Sequence, residues 1–449
     1  MDEQWLRDLL DRTTVGEPPI GSLAVDALRA GIKRRRQRRA QGTVACVAAV
    51  ALIGTAAVAA TGAGRHAGTG AASHAGTGAA SHPASGPAKV TGPTTMYVLS
   101  GEGNLYAIPN ATKVRGKKIL LPGGRQFMAI TPNGRTIYVS GDEPNAVIPV
   151  STVTDKVGKP IEFGRQVPTQ ILITPNGKTA YVMGLMGDEI YPISTATNTM
   201  EKPIKAGQGP GGPYQMAITP NGKTLYDVSF NGKSRGPSYV IPISTATNTA
   251  GKPIKIQNAD TIGILMNPNG RTAYDIGQSM TGTEIIPIAT ATNTPGKPVS
   301  TDQSDGAVAI APDGRALYLV NYGPNGVIPF STAANTAGKL IKVDGMASAI
   351  AVTPEGNTAY VASELSQKPA ATCTGQTGVV TPISTATNRP GIPVRVACDP
   401  YAVVVTPDGK TVWVGSRDWV TPISTATNKA GTPITFRGAL VAMVVGVTP

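Results

Sequence analysis

Residues 174–182 read TPNGKTAYV, and the first four residues of this stretch occur, with small changes, seven times between Thr131 and Gly409. The copies open at Thr131, Thr174, Thr219, Asn267, Ala311, Thr353 and Thr406. The segment behind the turn, an aromatic set among apolar residues, occurs eight times, because MYVLS at Met96 has no such turn before it. A fixed period of forty-odd residues decides the architecture before any local reading does.

Each unit carries four short extended segments. In the unit opening at Thr174, TQILI precedes the turn, TAYVM follows it, and DEIYPIST and EKPIKAG complete the set. We call these strands a, b, c and d; they are apolar or alternating and bounded by Gly, Pro, Asn and Asp, the signature of strands and hairpins. In T-P-N-G the proline suits the second position of a type I turn and the glycine the fourth. The third position is Asn133, Asn176, Asn221, Asn269, Asp313, Glu355 or Asp408. Glutamate is a poor choice where φ must be positive, so type I is expected over I′, and these acids are turn formers rather than catalysts.

The chain closes on AMVVGVTP, which matches YAVVVTP at Tyr401–Pro407: a strand a with the first turn residues behind it. The repeat region opens on strand b instead. The last strand a is therefore expected to pair with the first b-c-d set, closing a ring and removing exposed sheet edges. The expectation is an all-β propeller of four-stranded blades over residues 94–449, eight by repeat count, with seven as the alternative if one unit is irregular.

TPNGKTAYV and VIPISTATNTAGKPI resemble the YVTN-type repeats of bacterial surface and YncE-like β-propellers, and the resemblance covers about residues 94 to 449. It implies the propeller fold and leaves function to be argued from a site. Strand c departs from that pattern: PISTAT stands where the family has an Asp, and a proline recurs as Pro109, Pro149, Pro192, Pro242, Pro287, Pro329, Pro382 and Pro422. Proline donates no ladder bond, so a bulge or an unpaired position is expected there.

The N-terminal part differs in kind. Residues 1–42 are charged and mildly amphipathic, and Lys33–Arg39 holds six basic residues directly before the uncharged run Thr43–Ala60. That run is just long enough to span a bilayer as a transmembrane helix, and the positive-inside rule puts its basic flank in the cytoplasm. The expectation is a single-pass cell-membrane protein with a cytoplasmic segment at 1–42, a span at 43–60, a flexible Gly/Ala/Ser/His linker at 61–93 and an extracytoplasmic propeller. A signal peptide cleaved near Ala57–Ala59 is the alternative, with an unusually long n-region. His66, His74 and His82 follow from the linker's own direct repeat and lack the rigid frame of a metal site.

The propeller region contains no histidine, which excludes from it Ser-His-Asp and Cys-His catalysis and His-ligated zinc. GQGPGGP precedes a strand rather than opening a helix with Lys and Ser or Thr, so it is no phosphate-binding loop. No cofactor, metal or nucleic-acid partner is expected. The carboxylates to weigh are Asp227 and Asp275, which replace the Val or Leu behind the strand-b aromatic in consecutive units. They are either a polar site or two carboxylates paired with Lys or backbone N–H groups.

Strand parity separates two faces. The a-b and c-d loops share one, and they repeat almost unchanged as T-P-N-G and S-T-A-T-N-T-A-G; the b-c and d-a loops share the other and vary in length and content. Diverse loops on a rigid scaffold are where recognition resides. The function expected is thus an extracytoplasmic binding or interaction scaffold for a protein or cell-envelope polymer on the b-c/d-a face. The alternative is a lactonase-like hydrolase using carboxylates near the central channel. Cys373 and Cys398 fall on the variable face and are expected to form a disulfide, free thiols being the other reading.

Residues 66–449 carry 30 Lys and Arg against 21 Asp and Glu. Arg135, Lys178, Lys223, Arg271, Arg315 and Lys410 follow the a-b turn glycines, and Lys117, Lys159, Lys202, Lys252, Lys297 and Lys339 follow the c-d turns. All twelve are expected to ring the uniform face, where they would rest on anionic headgroups or wall polymer, or simply solubilise the protein.

Overall fold

The computed structural model describes residues 92–447 except 124, 143, 185–186, 207–212, 230–236, 257–259, 279–281, 302–305, 322–324, 366–375 and 437. The expectations for residues 1–91, including the span at 43–60, lie outside the described residues.

Eight antiparallel sheets follow one another along the chain. Numbered from the N-terminal side, blade 1 is composite: Leu440–Val447 supplies strand a, Thr94–Ser100 strand b, Asn104–Pro109 strand c and Lys118–Leu120 strand d. The two chain ends pair in register from Thr94↔Val447 to Leu99↔Ala442. The ring therefore has eight blades, and its seam lies within one a-b turn, as the missing T-P-N-G implied. Strands a of successive blades pack on one another, so they are the innermost.

The a-b turn is type I. Gly134, Gly177 and Gly222 each donate N–H to the residue three before at 2.8 Å, with φ of 69°, 70° and 68°. The third turn residues are absent from the positive-φ set, which is why Asn, Asp and Glu all serve there. In the turn at Thr131 the hydroxyl donates to Asn133 Oδ1 at 2.7 Å and accepts from Thr136 N at 3.1 Å.

Apolar cores form between blades rather than within them: Tyr138 and Val147 of blade 2 pack with Ile171 and Val182 of blade 3. At four of these interfaces the strand-b tyrosine adds a polar clasp. Tyr138, Tyr181, Tyr226 and Tyr360 donate to Asn198, Asn248, Asn293 and Asn428 Oδ1 at 2.6, 2.6, 2.7 and 2.8 Å, each in the following blade. Those asparagines hold the c-d turn at φ between 50° and 55°, a conformation Asn tolerates better than other residues with a Cβ. The threonine of S-T-A-T-N ties the same turn to its own blade: Thr290, Thr332 and Thr425 donate to the Gly270, Gly314 and Gly409 carbonyls at 2.7 Å. The repeated letters Y, T and N are thus one bonding scheme.

At the seam the scheme changes on both sides. Lys113, φ 53°, stands where the other turns have Asn or Asp, and blade 8 offers Trp413, whose buried Nε1 has no partner. Arg115 bridges instead, donating to the Thr435 carbonyl at 2.6 Å with its guanidinium 5.4 and 5.8 Å from the Tyr106 and Phe436 ring centroids.

The strand-c prolines also have an explanation. Pro242 faces Tyr226 in the ladder, and its carbonyl accepts from Gly251 N at 2.7 Å on the strand-d side. A residue's N–H and C=O point to the same neighbour in an antiparallel sheet, so the missing donor lies on the outer side, away from strand b. There strand d is broken, into Thr249–Ala250 and Ile254–Ile256, and no inner ladder bond is lost. The same arrangement recurs at Pro149, Pro192, Pro287, Pro329, Pro382 and Pro422. Pro109 is the exception to the sequence reading: it faces Thr95, and Ala107 takes the proline's place opposite Tyr97, accepting from Gly116 N at 2.8 Å.

Candidate functional site

Asp227 and Asp275 occupy equivalent places in strands b of blades 4 and 5, Thr224–Ser229 and Thr272–Gln278. Both are fully buried. Asp227 is in register with Met216 and Ile241, and neither of its oxygens has a hydrogen-bond partner. Asp275 is in register with Ile264 and Ile286; its Oδ2 accepts from the Thr261 hydroxyl at 3.2 Å and its Oδ1 is unpartnered. The Lys or backbone N–H partners expected for paired carboxylates are not there.

Burial dominates both titrations. It pushes Asp227 well above the usual carboxylate range. It pushes Asp275 up to about 8, the Thr261 hydrogen bond opposing and Glu284 adding to the rise. Asp275 is therefore mainly a neutral acid at pH 7; both carboxyls are sealed from solvent, and in this conformation neither meets a substrate.

The variable face carries a polar cluster that spacing did not reveal. Where strand d of blade 7 leads into strand a of blade 8, Asp399 N donates to Glu364 Oε2 at 2.6 Å, and Tyr401 donates to the Leu440 carbonyl. Burial raises the Asp399 carboxyl, Glu364 adds to the rise, and Arg417 opposes it. Glu364 ends strand b of blade 7, directly before the residues 366–375, so this cluster sits at the base of the longest b-c loop. Cys398 is fully buried and disulfide-bonded. Its expected partner Cys373 lies outside the described residues.

All twelve cations of the sequence reading are exposed, but they form two tiers rather than one ring. Arg135, Lys178, Lys223, Arg271, Arg315 and Lys410 stand on the a-b turns of the uniform face. The others lie lower, on the outer wall: Gly338 bonds the carbonyl of Pro329, two residues inside strand c (Gly326–Ser331), and Lys339 follows it. Between blades 4 and 5 the tiers border a groove of about 680 Å³, lined among others by Lys223, Lys252, Lys255, Ser244, Thr292 and Asn293 and by no carboxylate. Among the described residues no group of His, Cys, Asp and Glu could hold a metal ion.

No protein-family model matches the chain, and no curated protein matches it in sequence. Solved structures do match in fold. The dihydro-heme d1 dehydrogenase NirN, solved in complex with DHE, aligns at TM-score 0.63 and 13% identity over 78% of this chain and 74% of its own. AztD of Citrobacter koseri aligns at TM-score 0.56 and 12% identity, covering 79% of this chain and 98% of its own. Hydrazine synthase of Kuenenia stuttgartiensis aligns at TM-score 0.50 and 19% identity, covering 68% of this chain and 99% of its own. At such identities the likeness concerns the propeller fold alone.

Proposed function

We propose that the chain is a membrane-anchored, extracytoplasmic propeller of the YVTN-repeat, YncE-like kind, acting as a binding scaffold for a protein or cell-envelope polymer through its b-c and d-a loops. One observation carries this reading: the two faces use their polar groups differently. On the uniform face the Thr, Asn and Tyr side chains are consumed in bonds that hold turns and blades together. On the other face the loops differ from blade to blade, as between residues 229–238 and 363–378. A scaffold that repeats one face and varies the other leaves the varied one free for recognition. The anchor is the run 43–60, and a Cys373–Cys398 bridge would pin the longest of these loops.

A hydrolase would need carboxylates that meet substrate, and Asp227 and Asp275 are enclosed. The test is a loop exchange in the full chain, fused to a proximity-labelling enzyme and expressed in its own cells. Replacing residues 366–375 or 230–236 with a short turn is expected to remove specific neighbours from the labelled set. Changing Lys178 and Lys410 to Ser is expected to leave the set as it is. An unchanged set after both loop exchanges would refute the assignment.

A further inference from the structure

Blades 1 and 2 break the repeat in one direction. Their c-d turns read NATKVRGKK and STVTDKVGKP, where blade 4 reads STATNTAGKP. Val153 stands where the seven other blades have alanine, and it is 58% exposed. Val114 stands where four blades have threonine, and it is 65% exposed; Val157 is 37% exposed. Single exposed apolar residues need no explanation, but here three stand on the c-d turns of two neighbouring blades. The two blades are tied there by Tyr97 of blade 1, whose hydroxyl is bonded to Thr152 in the turn of blade 2. Around the valines stand Lys113, Lys156 and Lys159, all exposed, and Asp155 is the one carboxylate of the two turns.

The chain joins the propeller at this same place. Thr94 begins strand b of blade 1 on the uniform face, and its carbonyl accepts from Asn110 N, the start of the Val114 turn, at 2.8 Å. The linker of residues 61–93 runs from there to the apolar run 43–60. A random coil of 33 residues, the length of this linker, reaches about 30 Å. Apolar side chains ringed by lysines suit the headgroup region of an anionic bilayer, where the apolar part enters the acyl boundary and the cations meet phosphate.

We infer that the Val114, Val153 and Val157 patch of blades 1 and 2 is a membrane contact, so that the propeller leans on an anionic bilayer by this edge instead of lying flat on its cationic face. The inference rests on the anchor reading. Lysines of the lower tier, Lys117 and Lys159, then also approach the lipid, which a flat ring would not allow.

The test uses the full chain with Cys46→Ser in nanodiscs, carrying an environment-sensitive label at Val153→Cys or at Ala333→Cys. Ala333 is the equivalent exposed residue of blade 6, on the far side of the ring. With lipid-borne spin quenchers and phosphatidylglycerol present, quenching at 153 is expected to exceed that at 333 by about twofold or more, the difference fading as salt shortens the Debye length. Equal quenching at both positions hands the contact to the whole cationic face, and quenching at neither leaves the propeller clear of the bilayer; either overturns the inference while the anchor stands. A chain that does not enter the discs overturns the anchor and the inference together.

Discussion

Asp227 and Asp275 make the stability of this protein depend on pH in a stated direction. In the unfolded chain a carboxyl ionises above about 3.8, whereas folded Asp275 holds its proton up to about 8. Between these values the native state binds more protons than the unfolded one, so stability is fully present below 3.8 and declines as pH rises toward 8. One such group gives a slope of up to about 1.4 kcal/mol per pH unit. Asp275→Asn keeps the shape and removes the proton uptake. Its thermal midpoint is expected to exceed that of the parent at pH 8 and to vary less between pH 5 and 8; a parallel pair of curves would contradict the assignment. Asp227→Asn is expected to act in the same direction. The sequence singled out both positions, because an acid in an apolar strand breaks the alternation. It could not give their surroundings, since what faces a side chain across a blade interface depends on the neighbouring blade's register.

At the scale of the element, the blade-to-blade clasp is the feature to test. Removing the Tyr226 hydroxyl as Tyr226→Phe leaves Asn293 Oδ1 without its donor and should cost about 1 kcal/mol. Asn293→Gly keeps the positive φ but loses the same bond, so the two changes should be clearly non-additive in denaturant unfolding. Additive effects would mean the bond carries no coupling. Pro242→Ala should change stability by less than about 1 kcal/mol, because the N–H it restores points to the break in strand d. These elements were half legible. Turn type followed from the residues allowed at its third position, and the recurring letters marked the strands. The clasp was hidden because its two ends lie 67 residues apart, and Pro109 misled because its Ile-Pro pair copies the repeat two residues out of register.

For the whole molecule, closure is the determinant. Leu440–Val447 supplies the inner strand of blade 1 and also packs against blade 8. Deleting residues 440–449 should therefore expose the edge of Thr94–Ser100 and turn a cooperative transition into an aggregating one. Scattering during a thermal scan would report it, and an unchanged sharp transition would show that the ring does not need its seam. The eight-blade plan was readable because an absent turn at each end of a repeat array has one simple geometric resolution. The partner was not, because the b-c and d-a loops proposed to carry recognition obey no repeat. The account as a whole depends on the propeller standing outside the membrane with its basic flank inside. A membrane-impermeant amine reagent applied to intact cells, with modified residues read by mass spectrometry, tests this most directly. Exposed outer-wall lysines such as Lys205, Lys255 and Lys342 are predicted to be modified without lysis and Lys33 only after it. Modification of all four only after lysis would contradict the account.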